Sequence, residues 1–144
     1  MKSLTKMFFL IVFLSSLYLT GAQTIGVIYT KAEADQKFGP VLNSVGIDTA
    51  QFRILLNRSG NYLLFKIDEG NLYILSENRE PLFPGGFSVQ PGEVYKIVSV
   101  SKIQELLYQG QNQQIFFEVR KNVYSLTNGS FTLEEIVDCP PFCN

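Results

Sequence analysis

The sequence predicts an α+β fold, an antiparallel sheet with two or three short helices on one face. Two stretches carry apolar residues at the i, i+3, i+4 spacing of a half-buried helix, and several others alternate as strands do. Turn residues separate many of the strands closely enough for hairpins. The chain of 144 residues divides into a signal peptide, residues 1–22, and one small domain, residues 23–144.

The first 22 residues have the order of a secretory signal. Lys2 and Lys6 precede an apolar run over residues 7–19, and small residues end at Ala22. Because the run is shorter than the roughly 20 residues that span a bilayer, an uncleaved anchor is the weaker alternative. We therefore expect cleavage that leaves Gln23 first, a secreted or periplasmic chain, and no stable membrane insertion.

The charge balance argues against nucleic acid as a partner. The chain has 12 Lys and Arg against 13 Asp and Glu, and the signal peptide holds two of the lysines and no acid. The remaining basic residues are outnumbered and scattered, whereas nucleic-acid binding needs clustered positive charge.

The first half of the domain predicts two helices, a strand and a hairpin. Thr30 and Glu33 have the spacing of a capping box, which starts a helix over 31–38. A strand follows over 41–47. Asp48 or Thr49 caps a second helix, whose apolar stripe is Phe52, Leu55 and Leu56. Residues 62–67 and 72–75 then form a hairpin around Asp68–Asn71.

The second half repeats this order. A strand over 94–100 leads to a helix capped by Ser101 and Gln104, with the stripe Ile103, Leu106 and Leu107. Three further strands follow, over 115–119, 123–127 and 131–137, the last two joined by Asn128-Gly129, which suits a type I′ turn.

The two halves can be aligned, which suggests an internal duplication of a strand-helix-hairpin unit. The alternative is that any two such units share this pattern. The aligned identities are Val45, Gln51, Phe65, Asn71, Tyr73 and Leu75 with Val98, Gln104, Phe117, Asn122, Tyr124 and Leu126.

No catalytic constellation is found, and we predict no catalytic residues, no metal site and no cofactor. The chain contains no histidine, the residue most often used as general base and zinc ligand. Ser99 and Lys102 have a Ser-x-x-Lys spacing, but we expect Ser99 to end a strand while Ser101 caps the helix.

Three acidic or amide patterns have ordinary structural explanations. Asp68–Asn71 could bind calcium, but the pattern is better explained as a hairpin turn. Glu134 and Glu135, with Asp138 nearby, would point to opposite faces of a strand, which we expect to be a solvated edge. The sequons at Asn57 and Asn128 fall at predicted surface turns, where a eukaryotic secretory pathway could add glycans, although such tripeptides often arise by chance.

Cys139 and Cys143 are the two cysteines of the chain. In an exported chain we expect them to form a local disulfide that fixes the last residues. Redox catalysis, metal binding and an intermolecular bridge are the alternatives, and the three intervening residues differ from the two of a thioredoxin-like motif.

The long connection from Arg79 to Gly92 is the candidate binding site. Long ordered loops are often functional, and exposed aromatic residues are common anchors at interfaces. The alternative is that its apolar side chains fold back to cover the sheet. The candidate residues are Arg79, Leu82, Phe83 and Phe87.

The function predicted from these observations is that of an exported, non-enzymatic interaction or accessory module whose partner is another exported or envelope protein. The alternative is a secreted carrier of a small apolar ligand. That ligand would lie between helix and sheet among Phe65, Tyr73, Phe117 and Tyr124.

Overall fold

The computed structural model describes residues 23–140. The predicted signal peptide, residues 1–22, and Cys143 lie outside the described residues. In residues 23–140, no helix is long and apolar enough to cross a membrane. The elements in chain order are β1 (Val27–Thr30), α1 (Lys31–Phe38), β2 (Asn43–Asp48), α2 (Thr49–Leu56), β3 (Tyr62–Asp68), β4 (Asn71–Ser76), β5 (Pro81–Phe83), β6 (Tyr95–Ser99), α3 (Val100–Gly110), β7 (Gln114–Val119), β8 (Tyr124–Asn128), β9 (Phe131–Glu134) and β10 (Val137–Cys139).

The strands form two five-stranded antiparallel sheets. Sheet A has the order β1-β9-β8-β7-β2, and sheet B has the order β10-β6-β3-β4-β5. The α+β class is confirmed, but the prediction of one sheet is wrong. The strand predicted over 131–137 is broken at Glu135, whose φ of 61° lies in the left-handed region. The break lets β10 leave sheet A and pair with β6 of sheet B.

A strand, a helix and three further strands follow one another twice, as β2-α2-β3-β4-β5 and β6-α3-β7-β8-β9. The first strand of each set pairs with the second strand of the other, β2 with β7 and β6 with β3. Each sheet therefore needs strands from both halves of the chain. A common origin of the two sets stays a prediction.

The main core lies between the sheets. The rings of Phe65 in β3 and Phe117 in β7 meet edge to face at 4.9 Å, and Phe52 of α2 packs on Phe117 at 5.5 Å. All three are fully buried, and such ring pairs stabilise a core by about 1 kcal/mol beyond their buried area. Both predicted helical stripes enter this core, which confirms them: Phe52, Leu55, Leu56, Ile103, Leu106 and Leu107.

Helix α1 lies on the opposite side of sheet A. Successive side chains of a strand point to opposite faces, and Leu133 of β9 enters the core while its neighbour Glu134 faces away from it. On that outer face Asp35 of α1 bonds to Arg120, two residues beyond Glu118 of β7. The helices thus lie on both sides of this sheet, and the prediction that they share one face is wrong.

Two of the three predicted helix starts are confirmed. Thr30 and Glu33 form the capping box, and Asp48 accepts hydrogen bonds from two amides of the first turn of α2. The third is wrong, because α3 begins at Val100 and Ser101 lies inside it. Ser99 takes the capping position, but its hydroxyl accepts the amide of Ile25 at 2.7 Å instead of a helix amide.

The outer face of sheet B carries a second apolar cluster. Its buried members are Ile25, Leu64, Leu75, Tyr95, Ile97 and Cys139, and its half-buried members are Tyr62, Tyr73, Phe87, Val89 and Val137. Phe87 and Val89 belong to the long connection, so part of that loop covers this face.

Candidate functional site

The long loop is fixed to sheet B by Glu93, the residue that follows its predicted end. One carboxylate oxygen of Glu93 accepts a hydrogen bond from Lys66. The other accepts the Tyr95 hydroxyl at 2.8 Å and the Gln90 amide at 3.1 Å. These donors stand on β3, on β6 and in the loop itself, so Glu93 joins the loop to two strands.

Arg79 anchors the first residue of the loop to its last turn and to sheet B. Its Nη2 donates to the carbonyl of Glu93 at 2.5 Å, and its guanidinium lies 5.2 Å from the centre of the Tyr95 ring. We call Glu93, Lys66, Tyr95 and Arg79 the Glu93 cluster. The structure therefore places Arg79 at the base of the loop, as a residue that shapes it.

The other three candidate residues occupy different layers. Leu82 of β5 is buried in the core between the sheets, and Phe83 packs against that core while half-buried. Phe87 packs on Tyr73 with ring centres 5.1 Å apart, on the outer face of sheet B. The four residues do not converge on one pocket. Leu82 and Phe83 anchor the loop to the core between the sheets, and Phe87 packs it against the outer face of sheet B.

Hydrogen bonding sets the ionisation of the Glu93 cluster. The Lys66 ammonium, followed by the Tyr95 hydroxyl and the Gln90 amide, lowers the pKa of Glu93 to about 2. The same bond raises the pKa of Lys66. Burial and the adjoining Glu93 carboxylate raise the pKa of Tyr95. At neutral pH the cluster therefore holds a carboxylate and an ammonium that stabilise one another.

A second charged cluster, missed by the sequence analysis, lies beneath α1 on the outer face of sheet A. It consists of Arg120, Glu118, Glu134 and Asp35, and we call it the Arg120 cluster. The side chain of Arg120 is fully buried, and its Nε lies 3.2 Å from Glu134 Oε1. Its Nη1 donates to Asp35 at 2.7 Å and to the carbonyl of Gly39.

The carboxylates of the Arg120 cluster are unequally satisfied. Glu118 Oε2 accepts the hydroxyl of Thr127 at 2.7 Å and lies 3.5 Å from Arg120 Nη2. Neither oxygen of Glu134 has a well-formed hydrogen bond, and both are sealed from solvent. Burial raises the pKa of Glu134 to about 7, against the lowering effects of Ser125 and Arg120.

The strand alternation contained the signal for this cluster, but alternation alone does not distinguish a charge that faces solvent from one that a helix covers. Glu118 and Glu134 occupy the face opposite Phe117 and Leu133, a pattern that normally indicates solvent. The prediction of a solvated edge at Glu134 is wrong, because β9 lies between β1 and β8 and α1 covers its outer face. The polar sequence of α1 gave no indication that it covers a sheet.

A groove of about 240 Å³ opens beside the Arg120 cluster on the same outer face. Its lining includes Lys31, Ser44, Phe116, Glu118 and Thr127. We call it the Phe116 groove. Glu118 belongs to both features, so the groove reaches the edge of the buried charge network.

The remaining sequence patterns are not brought into a site. Lys102 pairs with Glu105 at 2.7 Å, and the Ser99 hydroxyl accepts the Ile25 amide, so the two residues of the Ser-x-x-Lys spacing have other partners. Asp68 and Asn71 pair across the β3–β4 hairpin. Within the described part of the chain, no three acidic or cysteine side chains stand close enough to hold a metal ion.

The two sequons differ in accessibility. Asn57 follows the last residue of α2 and is exposed. Asn128 is fully buried, and its side-chain amide donates to the carbonyl of Gln114 at 2.8 Å. A Cβ at Gly110 would lie 2.2 Å from Asn128 Oδ1, which shows how closely α3 covers this side chain. A glycan on Asn128 is incompatible with this packing.

Cys139 is buried at the end of sheet B. Its predicted partner Cys143 is outside the described residues, so the disulfide stays a prediction.

Comparison with known proteins finds no matching family model, no similar curated protein and no similar solved structure.

Proposed function

We propose that this is an exported, non-enzymatic protein that binds another exported or envelope protein through the long loop. The observation that carries the proposal is the Glu93 cluster, which holds both ends of the loop against sheet B. A loop that is fixed before association loses less conformational entropy when it binds.

The tip of the loop supplies the contact surface. Pro84, Gly85 and Gly86 are exposed, between the half-buried rings of Phe83 and Phe87. Turn residues flanked by aromatic side chains offer a partner backbone groups together with apolar edges. Leu82 is excluded from the contact, because it is buried in the core.

Three observations favour a non-enzymatic role. The chain has no histidine, and Ser99 and Lys102 each bond to another residue. Glu134 has the raised pKa of a general acid, but its side chain is fully buried and cannot contact a substrate.

The alternative function, carriage of an apolar ligand, has less support. Phe65 and Phe117 fill the core by packing on one another, and Tyr124 packs on Phe65 with ring centres 6.3 Å apart. Tyr73 lies on the other side of sheet B, against Phe87. The four aromatic residues expected to line one pocket are thus divided between two clusters.

Export and internal duplication remain part of the proposal. Export rests on the order of charged, apolar and small residues over 1–22. Duplication is supported by the repeated element order and by the contact of Phe65 with Phe117, two residues that the alignment equates.

The test is a pull-down with the full chain, produced in an exporting host and immobilised in its processed form, against medium or envelope extract from its native source. Gly85→Arg places a large side chain on the loop tip, where a Cβ meets open space and the backbone is unstrained. Tyr108→Arg is the matched control, since Tyr108 is 78% exposed on α3.

The proposal expects one stoichiometric protein that the wild type and Tyr108→Arg retain through a salt wash and that Gly85→Arg loses. Equal retention by Gly85→Arg, with an unchanged melting temperature, would exclude the loop tip as the contact. An empty pull-down with folded bait would contradict the interaction role.

A further inference from the structure

The Phe116 groove contains one deeply placed carboxylate. The side chain of Glu118 is 7% exposed, and Thr127 and Arg120 both contact its Oε2. In residues 23–140, no side chain or amide donates to its other oxygen, Oε1. Unlike the two oxygens of Glu134, Oε1 is not sealed from solvent. Glu118 thus lines the groove and retains one carboxylate oxygen that is free to accept a hydrogen bond.

The network behind Glu118 has more negative than positive charge. Three carboxylates, Glu118, Glu134 and Asp35, surround the single guanidinium of Arg120. Arg120 already directs Nε and Nη1 to other acceptors, and only Nη2 faces Glu118. Arg120, Glu118 and Glu134 are buried, so their charges are weakly screened, whereas the Asp35 side chain is 45% exposed.

Three further residues shape the groove. Phe116 is half-buried and presents its ring beside Glu118 on the same strand face. Gly46 on the neighbouring strand leaves space for that ring, since a Cβ there would lie 3.0 Å from Phe116 Cε1. Lys31 stands on the groove wall, one helical turn from Asp35, whose carboxylate its charge influences.

We infer that the Phe116 groove binds an organic cation, an ammonium or guanidinium group, with Glu118 Oε1 as the acceptor and the Phe116 ring against its alkyl part. A charged donor forms a strong hydrogen bond with a partly desolvated carboxylate. An aromatic face adds a cation–π contribution. The inference is independent of the proposed function, since the groove lies on sheet A and the long loop on sheet B.

The site is coupled to the ionisation of Glu134. Four groups surround Glu134. They are Glu118 on β7, Arg120 just after β7, Ser125 on β8 and Asp35 on α1. When Glu134 loses its proton near pH 7, the network gains a negative charge close to the groove. Cation affinity should therefore rise with pH across neutrality.

The experiment is an NMR titration of the ¹⁵N-labelled protein with N-acetyl-arginine amide, whose guanidinium is its single charge. N-acetyl-citrulline amide is the neutral isostere, and agmatine provides the same guanidinium on a free amine. Wild type, Glu118→Gln and Glu134→Gln are compared at about pH 8 and at about pH 5.5.

The inference expects saturable shifts of β7 and β8 amides with the arginine probe and none with the citrulline probe. Glu118→Gln should weaken binding by about tenfold or more. Wild-type affinity should fall several-fold at the lower pH, and that of Glu134→Gln should not. Tighter binding of the amide than of agmatine would indicate a basic side chain as the natural ligand, and the reverse order a free amine.

Equal shifts from the two isosteres, or no saturable shift from any cation, would overturn the inference. The isostere comparison uses the wild type alone, so the test stands even if a variant fails to fold.

Discussion

Each sheet carries an arginine–glutamate cluster on its outer face, and the two clusters shift the pKa values of their glutamates in opposite directions. Glu93 on sheet B has a pKa of about 2, and Glu134 on sheet A has a pKa of about 7. Both glutamates have a basic side chain within ion-pairing distance. The presence of a cation therefore does not explain the difference.

Hydrogen-bond donors and burial explain it. Three donors point at Glu93, from Lys66, Tyr95 and Gln90, and its side chain is 20% exposed. Glu134 is fully buried, and neither of its oxygens accepts a well-formed hydrogen bond. Burial penalises a charge unless donors replace the lost water. An ion pair identified by distance alone does not decide the charge state of a buried acid.

The difference matches the roles proposed for the two regions. The Glu93 carboxylate is fully hydrogen-bonded, and its cluster is proposed to fix the long loop for a protein partner. The Glu134 carboxyl group lacks such bonds, and the excess negative charge of its cluster is proposed to attract a cation to the adjoining groove.

Replacing the arginine of each cluster in turn should give the largest difference between the regions, measured as the loss in the free energy of unfolding. Arg120→Met leaves Glu118 and Glu134 buried without a counter-ion, so we expect a loss of about 3–5 kcal/mol in the free energy of unfolding. Arg79→Met removes a half-exposed contact with Tyr95 and should lose about 1 kcal/mol. Urea denaturation at pH 7 measures both, and equal losses would contradict the contrast.

Glu134→Gln should change the pH dependence of stability in one direction. A raised pKa in the folded state makes Glu134 stabilise the protein below about pH 4.5, and this contribution is lost as pH rises to about 7. The loss is at most about 3 kcal/mol. Across this pH range, the urea midpoint of Glu134→Gln should rise relative to that of the wild type as pH rises. A constant difference would mean that folding does not raise the pKa of Glu134.

Glu93→Gln should have the opposite pH dependence. A lowered pKa means that Glu93 stabilises the fold above about pH 4.5 and loses this contribution as pH falls toward about 2. We expect the variant to be about 1–2 kcal/mol less stable at pH 7 and to approach the wild type in acid. Glu80→Gln, which removes a charge from an exposed side chain, is the control for lost surface charge.

The response to salt should differ least between the two clusters. The Glu93 cluster is partly exposed, so about 1 M NaCl should reduce the effect of Glu93→Gln by a few tenths of a kcal/mol. The effect of Arg120→Met should change less, because its side chain is fully buried. Parallel urea denaturations with and without salt measure both changes, and an equal response would show that solvent reaches the Arg120 cluster.

Local features were predicted well because adjacent residues determine them. The Thr30–Glu33 capping box and the stripes on α2 and α3 follow from spacing alone. Ser101 failed as a cap because Ser99, a strand end, takes that position and bonds to Ile25, 74 residues away. The single sheet failed for a similar reason, since the turn at Glu135 passes the chain to another sheet.

The binding role of the long loop stays a prediction. Its anchor Glu93 lies just beyond the residues chosen from the sequence, and Leu82 lies in the core. The Arg120 cluster could not be predicted, because its members lie up to about a hundred residues apart in sequence and look like solvent-facing charges. The placement of α1 over sheet A buries Arg120, Glu118 and Glu134.

A carboxyl-detected NMR titration of the wild type, with glutamate side chains labelled with ¹³C, tests the central contrast most directly. Glu93→Gln and Glu134→Gln spectra assign the two resonances. The account predicts a midpoint near 7 for Glu134 and near 2 for Glu93. Two midpoints close to the ordinary glutamate value of about 4.3 would contradict it.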